Sequence, residues 1–344
     1  MKRGWPERWQ QPGAWAIVLA PLSWAYGLLW RLNWAWKTRQ KPVAVQGLRV
    51  LSVGNLSVGG TGKSALVRVV AQAALKKRRK VAVLLRGYGA QAGPRPLWVS
   101  KGSKALVSEA LSGDEAQEHA RLKGLAVLID SDRLRGAREA RAQGFDTLIL
   151  DDGFQRRWQV ARDCDLLLAT GPEIARGERL LPWGPWREPW SQAASATALL
   201  LQDGRAEALP KAWKSLPRLD VGYVPKALLQ WRQGRLSPGP RLSVLKGKRV
   251  LALSGLGQPF RFEASLAGLG ASVLRGRFGD HHVFTLAELE RLPLHACRAI
   301  VTTVKDAMRL PQGWKAPVPV WVLEAELKSQ PETALKKLLK KVLR

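Results

Sequence analysis

The sequence predicts an α/β protein with a P-loop parallel-sheet domain, a second, smaller α/β domain and an N-terminal membrane-associated helix. Three stretches predict it: an apolar run that ends in a glycine-rich turn and Gly62-Lys63-Ser64, an apolar run that ends in Asp151-Asp152, and an uncharged, tryptophan-rich segment near the N-terminus. With 344 residues, 46% of them hydrophobic, the chain is long enough for two cores. The pattern divides it into the apolar helix (1–40), the P-loop domain (41–220), a connector (221–247) and the second α/β domain with a C-terminal helix (248–344).

The first segment carries no charge between Arg8 and Arg31, and seven of the sixteen tryptophans fall within the first 36 residues. Lys2, Arg3 and Arg8 precede it, and Arg31, Lys37, Arg39 and Lys41 follow. Tryptophan favours the headgroup level and flanking cations favour an anionic leaflet, so the segment is expected to lie in, or dip into, the cytoplasmic face of a membrane. Pro21, Gly13 and Gly27 weaken it as a spanning helix. A cleaved leader and a buried first helix are the rival readings. The formal charge of +29 fits anionic lipid, a phosphorylated substrate or nucleic acid. Two distant cysteines, Cys164 and Cys297, suggest neither a disulfide framework nor a zinc site.

Val50–Gly54 reads as a buried strand, followed by a glycine-rich turn and a helix from about Ala65. Gly59, Gly60, Thr61 and Gly62 would let backbone N–H groups close on a polyphosphate. Lys63 would reach the β/γ-phosphates and Ser64 would take a place on Mg²⁺. Ser57 stands where the usual pattern has its first glycine. Val81–Leu85 is a short apolar strand that delivers Arg86-Gly87-Tyr88-Gly89 at its carboxyl end, where open α/β sheets place ligand contacts. Asp114, at the start of the next helix, reads by itself as a cap. Phe145–Asp152 is an apolar strand ending in paired carboxylates, one of which, Asp151 or Asp152, is expected to hold the Mg²⁺ that bridges the phosphates of ATP. Beyond Asp203 the prolines at 210, 217, 225, 238 and 240 break the pattern into a connector, and Lys248–Leu253 opens a second strand-turn-helix unit. A leucine stripe at 335, 338, 339 and 343 marks an amphipathic C-terminal helix.

Taken together, Val53-Gly54-Asn55-Leu56, Gly59-Gly60-Thr61-Gly62-Lys63, Arg86-Gly87-Tyr88-Gly89, Gly113-Asp114-Glu115, Asp151-Asp152-Gly153-Phe154-Gln155, Leu181-Pro182 and Arg187-Glu188-Pro189 resemble the tetraacyldisaccharide 4'-kinase family. So does Asp280-His281-His282. Ser64-Ala65 replaces the family's Thr-Pro, Arg156 its histidine, Arg176-Gly177-Glu178 its Gly-Asn-Gly, and Val304 its glutamate. The resemblance implies an ATP- and Mg²⁺-dependent kinase whose substrate is a lipid disaccharide 1-phosphate, working on the cytoplasmic face of the inner membrane beside anionic lipids. It makes Asp114 the acceptor of the sugar hydroxyl proton, His281 its partner, and Arg86 and Arg187 clamps for phosphate charge. Two other classes share the P-loop. A membrane-targeting or partitioning ATPase would have no need of a sugar-directed acid/base pair. A nucleic-acid-binding ATPase would explain the charge, but no recognition motif is present, so no nucleic acid is expected. The sequence carries no signal of oligomeric state.

Overall fold

The computed structural model describes residues 15–58, 62–87, 94–204, 208–279 and 282–343. Tyr223–Leu327 form one compact unit, and the chain before and after them forms the other.

The larger unit is built on a sheet whose inner strands are parallel. Its strands are β1 (Arg49–Gly54), β2 (Val81–Leu85), β3 (Leu97–Lys101), β4 (Ala126–Ile129), β5 (Thr147–Asp151), β6 (Cys164–Thr170) and β7 (Ala198–Gln202), with the first residues of β8 (Arg218–Arg232). Their order is β8-β7-β6-β1-β5-β2-β4-β3, and only β3, at the edge, runs antiparallel to its neighbour. The inner strands read as unbroken apolar runs because both faces are covered; Val81–Leu85 and Ala126–Ile129 are buried throughout. Helix Lys63–Lys76 covers the sheet with Leu66, Val67, Val70, Ala71 and Ala74, one face at helical spacing.

Register sets the site. Val53 of β1 lies opposite Asp151 of β5, and Leu84 of β2 lies opposite Leu150, so the carboxyl ends of the three strands are neighbours. Gly54 is required at the end of β1: a Cβ there would sit 2.8 Å from the backbone nitrogen of Phe154.

Helix Trp15–Lys37 packs on the larger unit through Ser23, Tyr26, Gly27 and Trp34. Ser23 Oγ donates to Leu180 O at 2.8 Å, Tyr26 Oη donates to Arg187 O at 2.8 Å, and Trp34 meets Trp158 edge to face. Val18, Leu22, Trp24, Leu28, Leu29, Leu32 and Trp36 face outward, with Trp24 80% exposed. No helix among the described residues is long and apolar enough to cross a membrane.

The smaller unit carries a second sheet segment. The rest of β8, β9 (Arg235–Pro238), β10 (Arg249–Ser254), β11 (Ser272–Arg277), β12 (Ala299–Thr303) and β13 (Val320–Gln330) follow the order β11-β10-β12-β13-β8, with β9 antiparallel to β8. Successive residues of β10 feed two cores: Leu251 and Leu253 join Ile300, Val320 and Val322, while Val250 and Ala252 join Val301, Trp321 and Leu323.

Two boundaries expected from the sequence need correction. The stretch expected as a connector, 221–247, holds most of β8 and all of β9. They are joined by a two-residue turn with Gln233 and Gly234 both at positive φ (48° and 81°), which suits the twist of a hairpin. The helix Glu332–Val342, expected with the second domain, packs on the larger unit. Arg49 Nη1 donates to Val342 O at 2.6 Å, and Lys77 Nζ donates to Lys340 O at 3.2 Å. Leu335, Leu339 and Leu343 form its buried stripe.

Candidate active site

The phosphate loop leaves β1 through Asn55, which is buried, and zips against the segment that contains Arg187. Val58 N donates to Pro185 O at 2.7 Å, and Arg187 N donates to Leu56 O at 2.8 Å. Ser57, in the place of the usual first glycine, is absorbed by a buried network. Its hydroxyl donates to Glu173 Oε1 at 2.9 Å and accepts from Asn55 Nδ2 at 3.1 Å. The departure therefore fastens the base of the loop. Gly62 adopts φ 89° and holds the N-cap position of helix Lys63–Lys76, whose N-terminal end favours an anion. Gly59, Gly60 and Thr61 lie outside the described residues, as do Tyr88 and Gly89.

Lys63 Nζ donates to Asn55 Oδ1 at 3.1 Å and stands 3.5 Å from Asp152 Oδ1. Asp152 sits at φ 48°, a left-handed conformation that few residues other than glycine adopt. Both of its oxygens accept from Arg187, at 2.8 and 2.9 Å. Burial pushes its carboxyl up, but Lys63, the Arg187 hydrogen bonds and the Arg133 charge together hold it well below the usual carboxylate range. Burial also works against the Arg187 charge, and the bonds to Asp152 more than compensate. Arg133 is fully enclosed, donating to Leu84 O at 3.1 Å and Asp151 O at 2.9 Å. Burial lowers its pKa to about 10, which still leaves it charged at neutral pH.

The two carboxylates thus have different jobs. Asp152 is taken up by Arg187 and Lys63. Asp151, 5% exposed, accepts from His119 Nε2 at 2.9 Å through Oδ2, and its Oδ1 makes no hydrogen bond among the described residues. Ser64, buried at the start of the phosphate helix, is the second oxygen donor the sequence nominates. No cluster of three or more His, Cys, Asp or Glu side chains suited to a metal exists among the described residues. Asp151 and Ser64 are oxygen donors of the kind Mg²⁺ uses when it takes one or two protein oxygens beside phosphate and water.

Arg187 is held by more than Asp152. It also donates to Asn55 Oδ1 at 2.5 Å, and its backbone oxygen accepts from Tyr26 on the N-terminal helix. Behind it Trp186, Trp190 and Trp213 form a cluster with ring centroids 5.5–6.0 Å apart, and such pairs contribute about 0.5–1.5 kcal/mol each beyond their burial. Glu188 pairs with Arg157 at 3.0 Å, whose guanidinium lies over Trp34 of the N-terminal helix.

Arg86 stands exposed just past β2, beside β5. Asp114 is half-buried and opens helix Asp114–Ala120. The N-cap position belongs to Gly113, and Asp114 Oδ1 accepts from Glu115 N at 2.9 Å, a bond to the first turn of its own helix. His281 lies outside the described residues. The structure brings Gly62, Lys63, Ser64, Asp151 and Asp152 to adjacent ends of β1 and β5, with Arg86 on the next strand. Sequence reasoning missed Asn55, Arg133, Glu173 and His119 as site residues. Only Asn55, between the strand and the glycines, gave a local signal.

A family model described as Tetraacyldisaccharide-1-P 4'-kinase matches residues 15–344. The chain is 41% identical over 285 residues to a tetraacyldisaccharide 4'-kinase of Anaeromyxobacter dehalogenans strain 2CP-C, covering 78% of this chain and 74% of the relative. It is 34% identical over 337 residues to one from Acidithiobacillus ferrooxidans, covering 97% and 96%. Among solved structures, the "apo" form of LpxK from Aquifex aeolicus in complex with ATP superposes with a TM-score of 0.72 at 30% identity, covering 94% of this chain and 98% of that one. Matched by the family model to its last residue and by relatives along nearly its whole length, the chain belongs to the tetraacyldisaccharide 4'-kinase family.

Proposed function

We infer that the protein transfers the γ-phosphoryl group of ATP to the 4'-hydroxyl of a tetraacylated glucosamine disaccharide 1-phosphate, a step of lipid A biosynthesis. In a chain of this family, the observation that carries the reading is the meeting of Lys63 with the Asp151-Asp152 strand end at the mouth of the phosphate loop. Phosphoryl transfer asks for positioning and charge neutralisation more than covalent chemistry. Lys63 would exchange its Asn55 and Asp152 contacts for the β/γ-phosphates, while Arg187 keeps Asp152 in place. Arg86, at the next strand end, would offset phosphate charge. Asp151 and Ser64 would hold Mg²⁺, which neutralises charge on the phosphates. Asp114 would take the proton of the 4'-hydroxyl as its oxygen bonds to the γ-phosphorus and the bond to the ADP oxygen breaks; His281 would orient Asp114. The test is purified protein in detergent with Mg-ATP and the disaccharide 1-phosphate. A 4'-phosphorylated product is expected, whereas ATP hydrolysis with no phosphorylated lipid would make the protein a switch ATPase.

The helix Trp15–Lys37 is proposed to lie in the cytoplasmic leaflet of the inner membrane, since it turns Ser23, Tyr26, Gly27 and Trp34 toward the protein and Leu22, Trp24, Leu28, Leu29, Leu32 and Trp36 away from it. A triple variant, Trp24→Ser, Leu28→Ser and Leu29→Ser, touches only the outward face. Fully buried, each of these side chains contributes about 1.5–3 kcal/mol, so the membrane-bound fraction should fall by more than about a hundredfold with the fold intact. Unchanged sedimentation with membranes would move the anchor to the basic faces elsewhere.

A further inference from the structure

We propose that His119 is a positioning residue for the reaction, one that fixes the rotation of the Asp151 carboxylate and so presents its free oxygen to the cation. The inference rests on the assignment of Asp151 to Mg²⁺ and deepens it.

His119 is completely buried, and its Nε2 lies 2.9 Å from Asp151 Oδ2. Its other nitrogen, Nδ1, is also buried and has no partner among the described residues. An N–H at Nδ1 would be an unsatisfied buried donor, which costs about 1–3 kcal/mol. The hydrogen therefore belongs on Nε2, where Asp151 accepts it. A carboxylate at a strand end can otherwise turn about its last torsion, which is broad for aspartate. Pinning Oδ2 leaves Oδ1 with a fixed direction.

The helix that carries His119 is itself tied down on both sides. Next to His119, the buried Glu118 pairs with Arg68 at 2.9 Å, and Arg68 belongs to the phosphate helix Lys63–Lys76. Two consecutive residues of helix Asp114–Ala120 thus fasten it to the helix after the glycine-rich loop and to the strand that ends in the carboxylates. Asp114, the proposed proton acceptor, opens that same helix. Through His119, the cation's carboxylate and the base share one rigid support. Groups that hold a metal-binding carboxylate in place commonly affect metal affinity or activity by about 10- to 100-fold.

The test uses the full-length protein with four variants: His119→Leu, His119→Asn, His119→Gln and Asp151→Asn. A glutamine can place its amide donor where Nε2 stands; asparagine is too short, and leucine has no donor. Mn²⁺ binding is read directly by the loss of its free EPR signal, in the presence of a non-hydrolysable ATP analogue. Leucine and asparagine should weaken Mn²⁺ by about 10- to 100-fold, and glutamine should restore most of the affinity. In turnover, the leucine variant should lose kcat at fixed Mg²⁺ and regain it as Mg²⁺ is raised, with KM for the lipid unchanged. If the leucine variant does not fold, the asparagine and glutamine pair decides. Native Mn²⁺ affinity in the asparagine variant, or equal loss of Tm in all three His119 variants with no change in Mn²⁺ binding, overturns the proposal. Native Mn²⁺ affinity in Asp151→Asn would instead remove the metal assignment itself.

Discussion

Lys63→Ala is expected to lower turnover by at least about 10²- to 10³-fold, the loss typical when a preorganised charge aimed at the transition state is removed. Among the described residues Lys63 Nζ bonds to Asn55 and Asp152, and both have Arg187 as a second partner. The truncation therefore leaves the site organised and should leave the protein folded, with circular dichroism and Tm close to the parent. The same geometry predicts how the loss divides. The N-terminal end of helix Lys63–Lys76 is unchanged and still favours the triphosphate, so ATP binding should weaken much less than kcat falls. Lys63→Arg should not rescue, because a planar fork cannot occupy the place of a compact ammonium between Asn55 and Asp152. Near-parental turnover by Lys63→Ala would mean that the loop serves structure alone.

The parts of this site that could be read in the sequence are those that one strand and one turn define together. Val50–Val53 and Leu148–Leu150 announce themselves because parallel strands covered on both faces lose the alternation that marks an exposed sheet. The residues next in the chain then lie at a carboxyl end by topology. The sequence left open which carboxylate takes the cation. The proposed choice of Asp151 rests on the positive φ at Asp152, whose side chain bonds Arg187 and stands beside Lys63, and on a histidine from another helix. Neither leaves a trace in local pattern. His119 looks like any helical residue until the sheet order sets its helix against Asp151. The hairpin of β8 and β9 was hidden for a different reason. β8 is only partly buried and includes Pro225, so its hydrophobic pattern is broken. The N-terminal helix was legible as apolar but not in its orientation, because the groups it packs on are the backbone oxygens of Leu180 and Arg187.

Asp114→Ala is expected to cost about 10² to 10⁴ in kcat, the usual contribution of a positioned general base, while ATP binding is kept. The side chain is half-buried at the start of its helix and accepts from Glu115 N, while Gly113 holds the N-cap position, so its loss should lower Tm modestly and leave the fold intact. If His281 only orients or polarises Asp114, the two residues serve one proton transfer. The double variant Asp114→Ala with His281→Ala should then be scarcely worse than Asp114→Ala alone. The structure supplies an internal control in the adjacent residue. His282 packs against Phe278 and Phe284, with ring centroids 4.8 and 5.2 Å away, and its Nε2 lies 3.1 Å from Glu288 Oε2. Glu288 is in turn locked to Thr285, whose backbone and hydroxyl bonds, with His282, bring its carboxyl down to about 2. His282 is thereby committed to holding its own loop, so His282→Ala should lower Tm more than it lowers kcat. His281→Ala should do the reverse. Strictly multiplicative losses for Asp114 and His281 would dissolve the pair, as would a larger kcat loss at His282 than at His281. Either result would leave Asp114 to act alone or with a partner other than His281, and it would leave the roles of Lys63 and Asp151 untouched.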